Sequence, residues 1–183
     1  MNFYTKALIA IAFVHEAQAV KCTALAMSGG ANYGAWEIGV VYGLAHYGNP
    51  EDYYYDVVSG ISAGAINAAG MAGWAPEEVV EMTEYLSDAW FDITTPDIWL
   101  KRPDEKKAVL NEKSLLDDSP ALLTILDIMS IKSEYAKRVS VAAVDINNGE
   151  YVEFNQNNTD YFEFYRASMA SGSIPVVFPP QHF

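Results

Sequence analysis

A five-residue stretch, Gly60-Ile61-Ser62-Ala63-Gly64, restricts the possible folds of this chain more than any other part of it. Before it, Tyr53 to Ser59 is an apolar, β-prone run that reads as a strand. After it, Ser62 to Trp74 is dense in alanine and glycine, a composition suited to a helix packed tightly against a sheet. A chain that passes from strand to helix this quickly must turn sharply, with the serine at the apex. A side chain at either flanking position would collide with the neighbouring strand or helix, so glycine is needed at both 60 and 64. The serine then stands at a helix N-terminus, where the dipole favours a developing negative charge. The plainer alternative is a small-residue turn in which Ser62 only caps the helix.

A second glycine-rich turn, Ser28-Gly29-Gly30-Ala31-Asn32-Tyr33-Gly34, lies between a short apolar strand, Thr23 to Met27, and a helix over Gly34 to Tyr47. Successive backbone N–H groups in such a turn converge and can bind an oxyanion or a phosphate. The other reading is a helix-entry turn with packing glycines. No Gly-Lys-[Ser/Thr] follows, so it is not a P-loop, and Ala31 interrupts the dinucleotide fingerprint. Further on, Pro76 opens a helix with Glu77 and Glu78 in its first turn. Asp92 to Lys107 reads as a polar surface excursion, and Ser114 to Ser130 as an amphipathic helix. Arg138 to Asp145 and Glu150 to Asn155 read as strands joined by the turn residues Asn147-Asn148-Gly149. Tyr161 to Ala170 reads as a helix. Small residues and three prolines, from Ala167 to Pro180, then suggest an extended exit. Strand and helix alternate, which argues for an α/β layered fold with a largely parallel sheet.

Charge and cysteine usage exclude several functions. Lys and Arg number 11 against 24 Asp and Glu, a net charge of −13. Such a chain is a poor ligand for a phosphate backbone, so nucleic acid is not expected as a partner. Peripheral contact with a membrane would have to be hydrophobic. The single cysteine, Cys22, permits no internal disulfide and reads as a buried small hydrophobe. The three histidines, His15, His46 and His182, are far apart, and neither a metal site nor a cofactor is expected. At the N-terminus, Lys6, the apolar run Ala7 to Val14 and Ala17-Gln18-Ala19 have the pattern of a secretory signal peptide over residues 1–19, which predicts a secreted protein beginning at Val20.

Taken in order, these motifs resemble the patatin-like phospholipase family. The match runs through the glycine-rich turn and Asp56-Val57-Val58-Ser59-Gly60-Ile61-Ser62-Ala63-Gly64-Ala65-Ile66-Asn67-Ala68. It ends on Ala170-Ser171-Gly172-Ser173-Ile174-Pro175-Val176-Val177-Phe178-Pro179-Pro180. It covers about Ala24 to Pro180. The resemblance implies a three-layer α/β/α sandwich with a largely parallel central sheet, and a lipid acyl hydrolase acting through a Ser–Asp dyad. Ser62 would be the nucleophile between the elbow glycines Gly60 and Gly64. Gly29, Gly30 and Ala31 would form the oxyanion hole, Gly34 would close the glycine-rich turn, and a phospholipid or other acyl lipid would be the substrate.

Two departures from the family pattern bear on activity. Ala31 stands where the family has a third glycine, and Tyr33 where it has a basic residue. Alanine keeps its N–H, so a donor survives there if φ is negative. The family's aspartate lies in an Asp-Gly-[Gly/Ala] motif beyond Phe-Pro-Pro, whereas this sequence ends on Gln181-His182-Phe183 and contains no Asp-Gly. The expectation is therefore that the domain, 20–183, is truncated at its C-terminus and weakly active as it stands. Asp145 is the best substitute base within the chain, His182 is the one histidine able to approach the site, and His46 is expected on the surface. A non-catalytic lipid-binding protein of the same fold remains the alternative.

Overall fold

The computed structural model describes residues 21–111 and 113–183; the expected signal peptide, 1–19, lies outside them. β1 (Ala24–Met27) is followed by a 3-10 turn, Ala31–Tyr33, and by α1 (Gly34–Tyr47). β2 (Val57–Gly60) passes through Ile61 and Ser62 into α2 (Ala63–Met71). A long excursion carries α3 (Val79–Asp92), α4 (Thr95–Ile98), β3 (Leu100–Lys101), α5 (Glu105–Asn111), β4 (Leu116–Asp117) and α6 (Ser119–Met129). The chain then returns as β5 (Arg138–Val144), turns into β6 (Tyr151–Asn155) and ends on α7 (Phe164–Gly172) and an extended tail. The main sheet has the order β1-β2-β5-β6, with the first three strands parallel and β6 antiparallel to β5. The fold is thus α/β, with a mainly parallel mixed sheet and flanking helices, as the order of elements predicts.

One face of the sheet is apolar. Met27, Val58, Val139 and Val141 alternate with outward residues and are buried against Ile38 and Val41 of α1, Met71 of α2 and Phe164 of α7. α2 is buried along its length because it is small: Ala65, Ala68 and Ala69 have no exposed surface, and a Cβ on Gly70 would come within 2.8 Å of Leu86. Small side chains let this helix lie close to β2, bringing its N-terminus beside the end of β1. Of the three layers expected, the described residues form the sheet and the helical layer over this face. The opposite face, with Ala24, Ala26, Arg138, Tyr151 and Glu153, is largely exposed. Among the described residues no helix is long and apolar enough to cross a membrane.

Three expectations need correcting. Tyr53 to Tyr55 is not strand: Pro50 leads a 3-10 turn, Pro50–Tyr53, with Glu51 and Asp52 in its first turn, a sequence that favours helical φ/ψ. Residues 92–107 are not a plain excursion, since they hold α4, β3 and the start of α5, and β3 pairs with β4. Cys22 is exposed rather than buried, because it precedes β1; its Sγ accepts from the Arg138 guanidinium at 3.1 Å.

Candidate active site

The elbow meets its steric requirement at both glycines. A Cβ on Gly60 would overlap the Gly64 carbonyl, and one on Gly64 would lie 2.6 Å from the Met27 carbonyl oxygen. Ser62 sits between them at φ 55°, ψ −120°, a conformation L-residues rarely adopt. Packing forces it: Ile61 N–H donates to Met27 O at 3.2 Å, and Ala65 and Ile66 N–H donate to Ser62 O at 2.9 and 3.2 Å. Strain of this kind, held by surrounding structure, is a mark of functional sites. Among the described residues no side chain is hydrogen-bonded to Ser62 Oγ.

The two glycine turns meet. A Cβ on Gly29 would stand 3.1 Å from Ser62 Cβ and 3.7 Å from its Oγ, so the backbone of the glycine-rich turn runs directly beside the serine. Gly34 is buried, and a Cβ there would lie 2.7 Å from Trp90 Cζ2 and 3.2 Å from Ala63 Cβ. Gly30 is extended at φ 177°. Ala31 has φ 51°, so the condition of a negative φ does not hold. It occupies the left-handed region that a glycine takes without penalty, at a cost of about 1–2 kcal/mol for an L-residue.

A cavity of about 600 Å³ opens at Ser62. Its wall is formed by Ala31 from the turn, Ile66 from α2, Leu86 and Trp90 from α3, Ile98 at the end of α4, Ile125 from α6 and Phe178 from the tail. The excursion between β2 and β5 thus builds most of an apolar wall, which its polar reading at 92–107 did not suggest. Among the described residues lining this cavity there is no Asp, Glu or His.

Ser171 belongs to the site and was missed. Its Oγ accepts the backbone N–H of Ser62 at 2.9 Å, pinning the end of α7 to the elbow. The Ala170–Pro180 segment matched the family pattern, but the contact spans 109 residues and no local signal marks it.

The other candidates lie elsewhere. Asp145 and His182 line a separate cavity of about 480 Å³. Asp145 Oδ1 accepts from Asn147 N–H and Nδ2 at 2.9 and 3.0 Å, as a turn aspartate does. His46 is half-buried, not on the surface: it stacks on Tyr42 with ring centroids 3.9 Å apart, and its Nε2 lies 3.9 Å from Glu84. Asp118 is buried, and its carboxyl is pushed above the usual range by burial, yet it accepts from Gln181 Nε2 at 2.7 Å and does not line the Ser62 cavity. Among the described residues no group of three or more His, Cys, Asp or Glu could hold a metal ion.

Comparison with known proteins bears on the whole of this region. A family model described as "Patatin-like phospholipase" matches residues 25–183. No curated protein matches the sequence. Among solved structures, VipD from Legionella pneumophila is similar at 16% identity and TM-score 0.49, over 90% of this chain and 44% of that one. ExoU in its heterodimeric complex with SpcU, from the type III secretion system of Pseudomonas aeruginosa, is similar at 20% identity and TM-score 0.42, over 86% of this chain and 37% of that one. The chain therefore spans less than half the length of the solved chains it resembles. The family model covers both glycine turns, the strands that carry them and the tail that closes the cavity, and on that match the chain belongs to the patatin-like phospholipase family.

Proposed function

We propose that the protein is a lipid acyl hydrolase, of phospholipase A or lysophospholipase type, in which Ser62 is the nucleophile of a Ser–Asp dyad. The observation that carries this is the strained Ser62, held at φ 55° beside the backbone of Gly29 and at the mouth of an apolar cavity. Ser62 Oγ attacks the acyl carbonyl as its proton passes to a base. The carbonyl oxygen gains the negative charge and is met by N–H groups of Gly29 and Gly30, each donor contributing about 3–4 kcal/mol in such sites; Ala31, whose φ of 51° fails the condition set for it, is not counted as a donor. Collapse breaks the ester C–O bond, the alcohol leaves with the proton, and water then releases the acyl group from the serine. The base is proposed to be an aspartate beyond residue 183, as the resemblance to the family implies. The cavity would take the acyl chain, whose burial is worth about 0.8 kcal/mol per methylene. The exposed Tyr33 and Trp36, beside the cavity-lining Asn32 and Ala35, offer an uncharged contact to a neutral lipid surface, in keeping with a chain of net charge −13. Secretion, with Val20 as the first mature residue, is part of the proposal and is read by N-terminal sequencing.

A non-catalytic lipid binder stays as the second reading, favoured by the lack of any carboxylate or imidazole among the described residues of the cavity wall. Hydrolysis of p-nitrophenyl esters by the protein at its full natural length separates the two. The hydrolase reading predicts turnover that Ser62→Ala abolishes; full activity in that variant would sink it.

A further inference from the structure

The cavity wall and the glycine-rich turn are joined by a chain of hydrogen bonds that the mechanism above does not use. Glu37, in the first turn of α1, accepts the Ser28 backbone N–H on Oε1 at 3.0 Å, with Ser28 Oγ at 3.4 Å. Its Oε2 accepts from Asn67 Nδ2 at 3.1 Å. The same amide nitrogen donates to the Gly34 carbonyl at 3.0 Å, and Asn67 Oδ1 accepts Trp90 Nε1–H at 2.8 Å. Asn67 is 2% exposed; its bond to the Gly34 carbonyl is buried, those to Glu37 and Trp90 are partly buried, and the Ser28–Glu37 end of the chain is exposed.

The donor and acceptor roles leave one arrangement. An indole N–H only donates, while a carboxylate and a carbonyl only accept. The Asn67 amide must therefore turn its nitrogen to Glu37 and Gly34 and its oxygen to Trp90. Aspartate at 67 would set a second carboxylate against Glu37. Glutamine at 37 would aim an NH2 either at the Ser28 N–H or at the Asn67 NH2. Flipping Asn67 to relieve the second clash would face its NH2 to the Trp90 N–H. Every alternative breaks a bond of the chain, and those at Asn67 are lost where water has little access to replace them.

The geometry points to Glu37 as a positioning residue. Its carboxylate clamps the start of the glycine-rich turn to α2, the serine helix, and through Asn67 it holds Trp90 against Gly34 as the cavity wall beside Ala63. The inference rests on the hydrolase reading, since the clamp matters to the reaction only if the turn supplies oxyanion donors to a substrate on Ser62. Those donors act on the transition state, so loosening them should lower kcat rather than raise KM.

The test uses the protein at its full natural length, with a p-nitrophenyl ester as substrate and the indole N–H resonances of 15N-labelled protein as a second readout. Trp90→Phe identifies the Trp90 signal. Glu37→Gln is expected to lower kcat by about tenfold to a hundredfold, the loss typical of small misplacements at a reacting centre. KM should stay within about threefold. The Trp90 signal should shift although Glu37 does not touch Trp90. Trp90→Phe keeps a ring but loses the N–H, and is expected to lower kcat by less. An unshifted Trp90 resonance in Glu37→Gln, or wild-type kcat in either variant, overturns the inference. So does a rate that falls only in proportion to the unfolded fraction. If Glu37→Gln does not fold, Trp90→Phe decides through its rate alone: a lowered kcat with KM within about threefold is expected, and a wild-type kcat overturns the inference. Full activity in Ser62→Ala is the separate signature of a failed hydrolase reading, and the resonance shift still reports the clamp in that case.

Discussion

The molecule has two cavities of similar size with opposite chemistry. The one at Ser62, about 600 Å³, has an apolar wall without a carboxylate or imidazole among its described residues. The other, about 480 Å³ between the β5–β6 hairpin and the tail, has Lys113, Asp145 and His182 on its wall. Side-chain inventory alone would favour the second. Two of its polar groups are already engaged, however: Asp145 closes the hairpin turn, and the Ser173 hydroxyl donates to the Met169 carbonyl at 2.9 Å. In the first cavity the serine is strained, its hydroxyl has no side-chain partner among the described residues, and a glycine backbone runs beside it. A reactive site is distinguished here by backbone held in a costly conformation, and a structural one by side chains that satisfy each other.

The comparison breaks most easily at the elbow. Gly60→Ala places a methyl group on the Gly64 carbonyl, where backbone and not a flexible side chain must give way. A loss of about 3 kcal/mol or more is expected, at the upper end of overpacking costs, together with loss of esterase activity; urea unfolding measures the first. An alanine protein of wild-type stability would mean that the turn is not built as described.

The pH dependence of stability should come from the opposite end of the sheet, away from both cavities. Lys137, just before β5, is 7% exposed, and burial lowers its pKa to about 8 against the ordinary 10.5, with Glu78, Asp56 and Glu77 acting in the other direction. Between these values the unfolded chain holds a proton that the folded chain has released, so stability rises with pH from about 8. Above pH 10 the trend reverses, because burial raises the pKa of Tyr161 to about 12 and that of Tyr135 further, and the unfolded tyrosines ionise first. Lys137→Met should flatten the rise between pH 8 and 10 in denaturant titrations. A rise of unchanged slope in that variant would move its origin to another group.

The smallest effect is expected at the second cavity. Asp145→Asn keeps the shape of the turn and weakens two hydrogen bonds, at a cost of about 1 kcal/mol, and leaves kcat/KM for ester hydrolysis at the wild-type value. A large fall in kcat/KM would make Asp145 the base and merge the two cavities into one functional account.

How legible each part was follows from the range of the forces involved. Gly60, Ser62 and Gly64 could be read because the demand on them is local: a sharp strand-to-helix turn excludes a Cβ wherever it occurs. The β5–β6 hairpin was legible for the same reason, with Gly149 at φ 77° in its turn. Tyr53 to Tyr55 misled because aromatic residues carry β propensity, while Pro50 and two acids upstream favour a helical turn. His46 misled because its position near a helix end says nothing of Tyr42, which stacks on it. Ser171 and the Glu37–Asn67–Trp90 chain were illegible, since each joins elements that only the tertiary fold brings together. The φ of Ala31, 51°, cannot be read from a residue type that avoids such angles.

The central claim, that Ser62 is the nucleophile, is tested most directly by covalent capture. A fluorophosphonate loses fluoride to an activated serine and leaves a phosphonyl group on its oxygen, and peptide mass spectrometry locates the adduct. In the protein at its full natural length, the account predicts one adduct, on the peptide containing Ser62, and none after Ser62→Ala. An adduct on Ser28, Ser171 or any other serine, or an ester-hydrolysing protein that takes no label on Ser62, would contradict it.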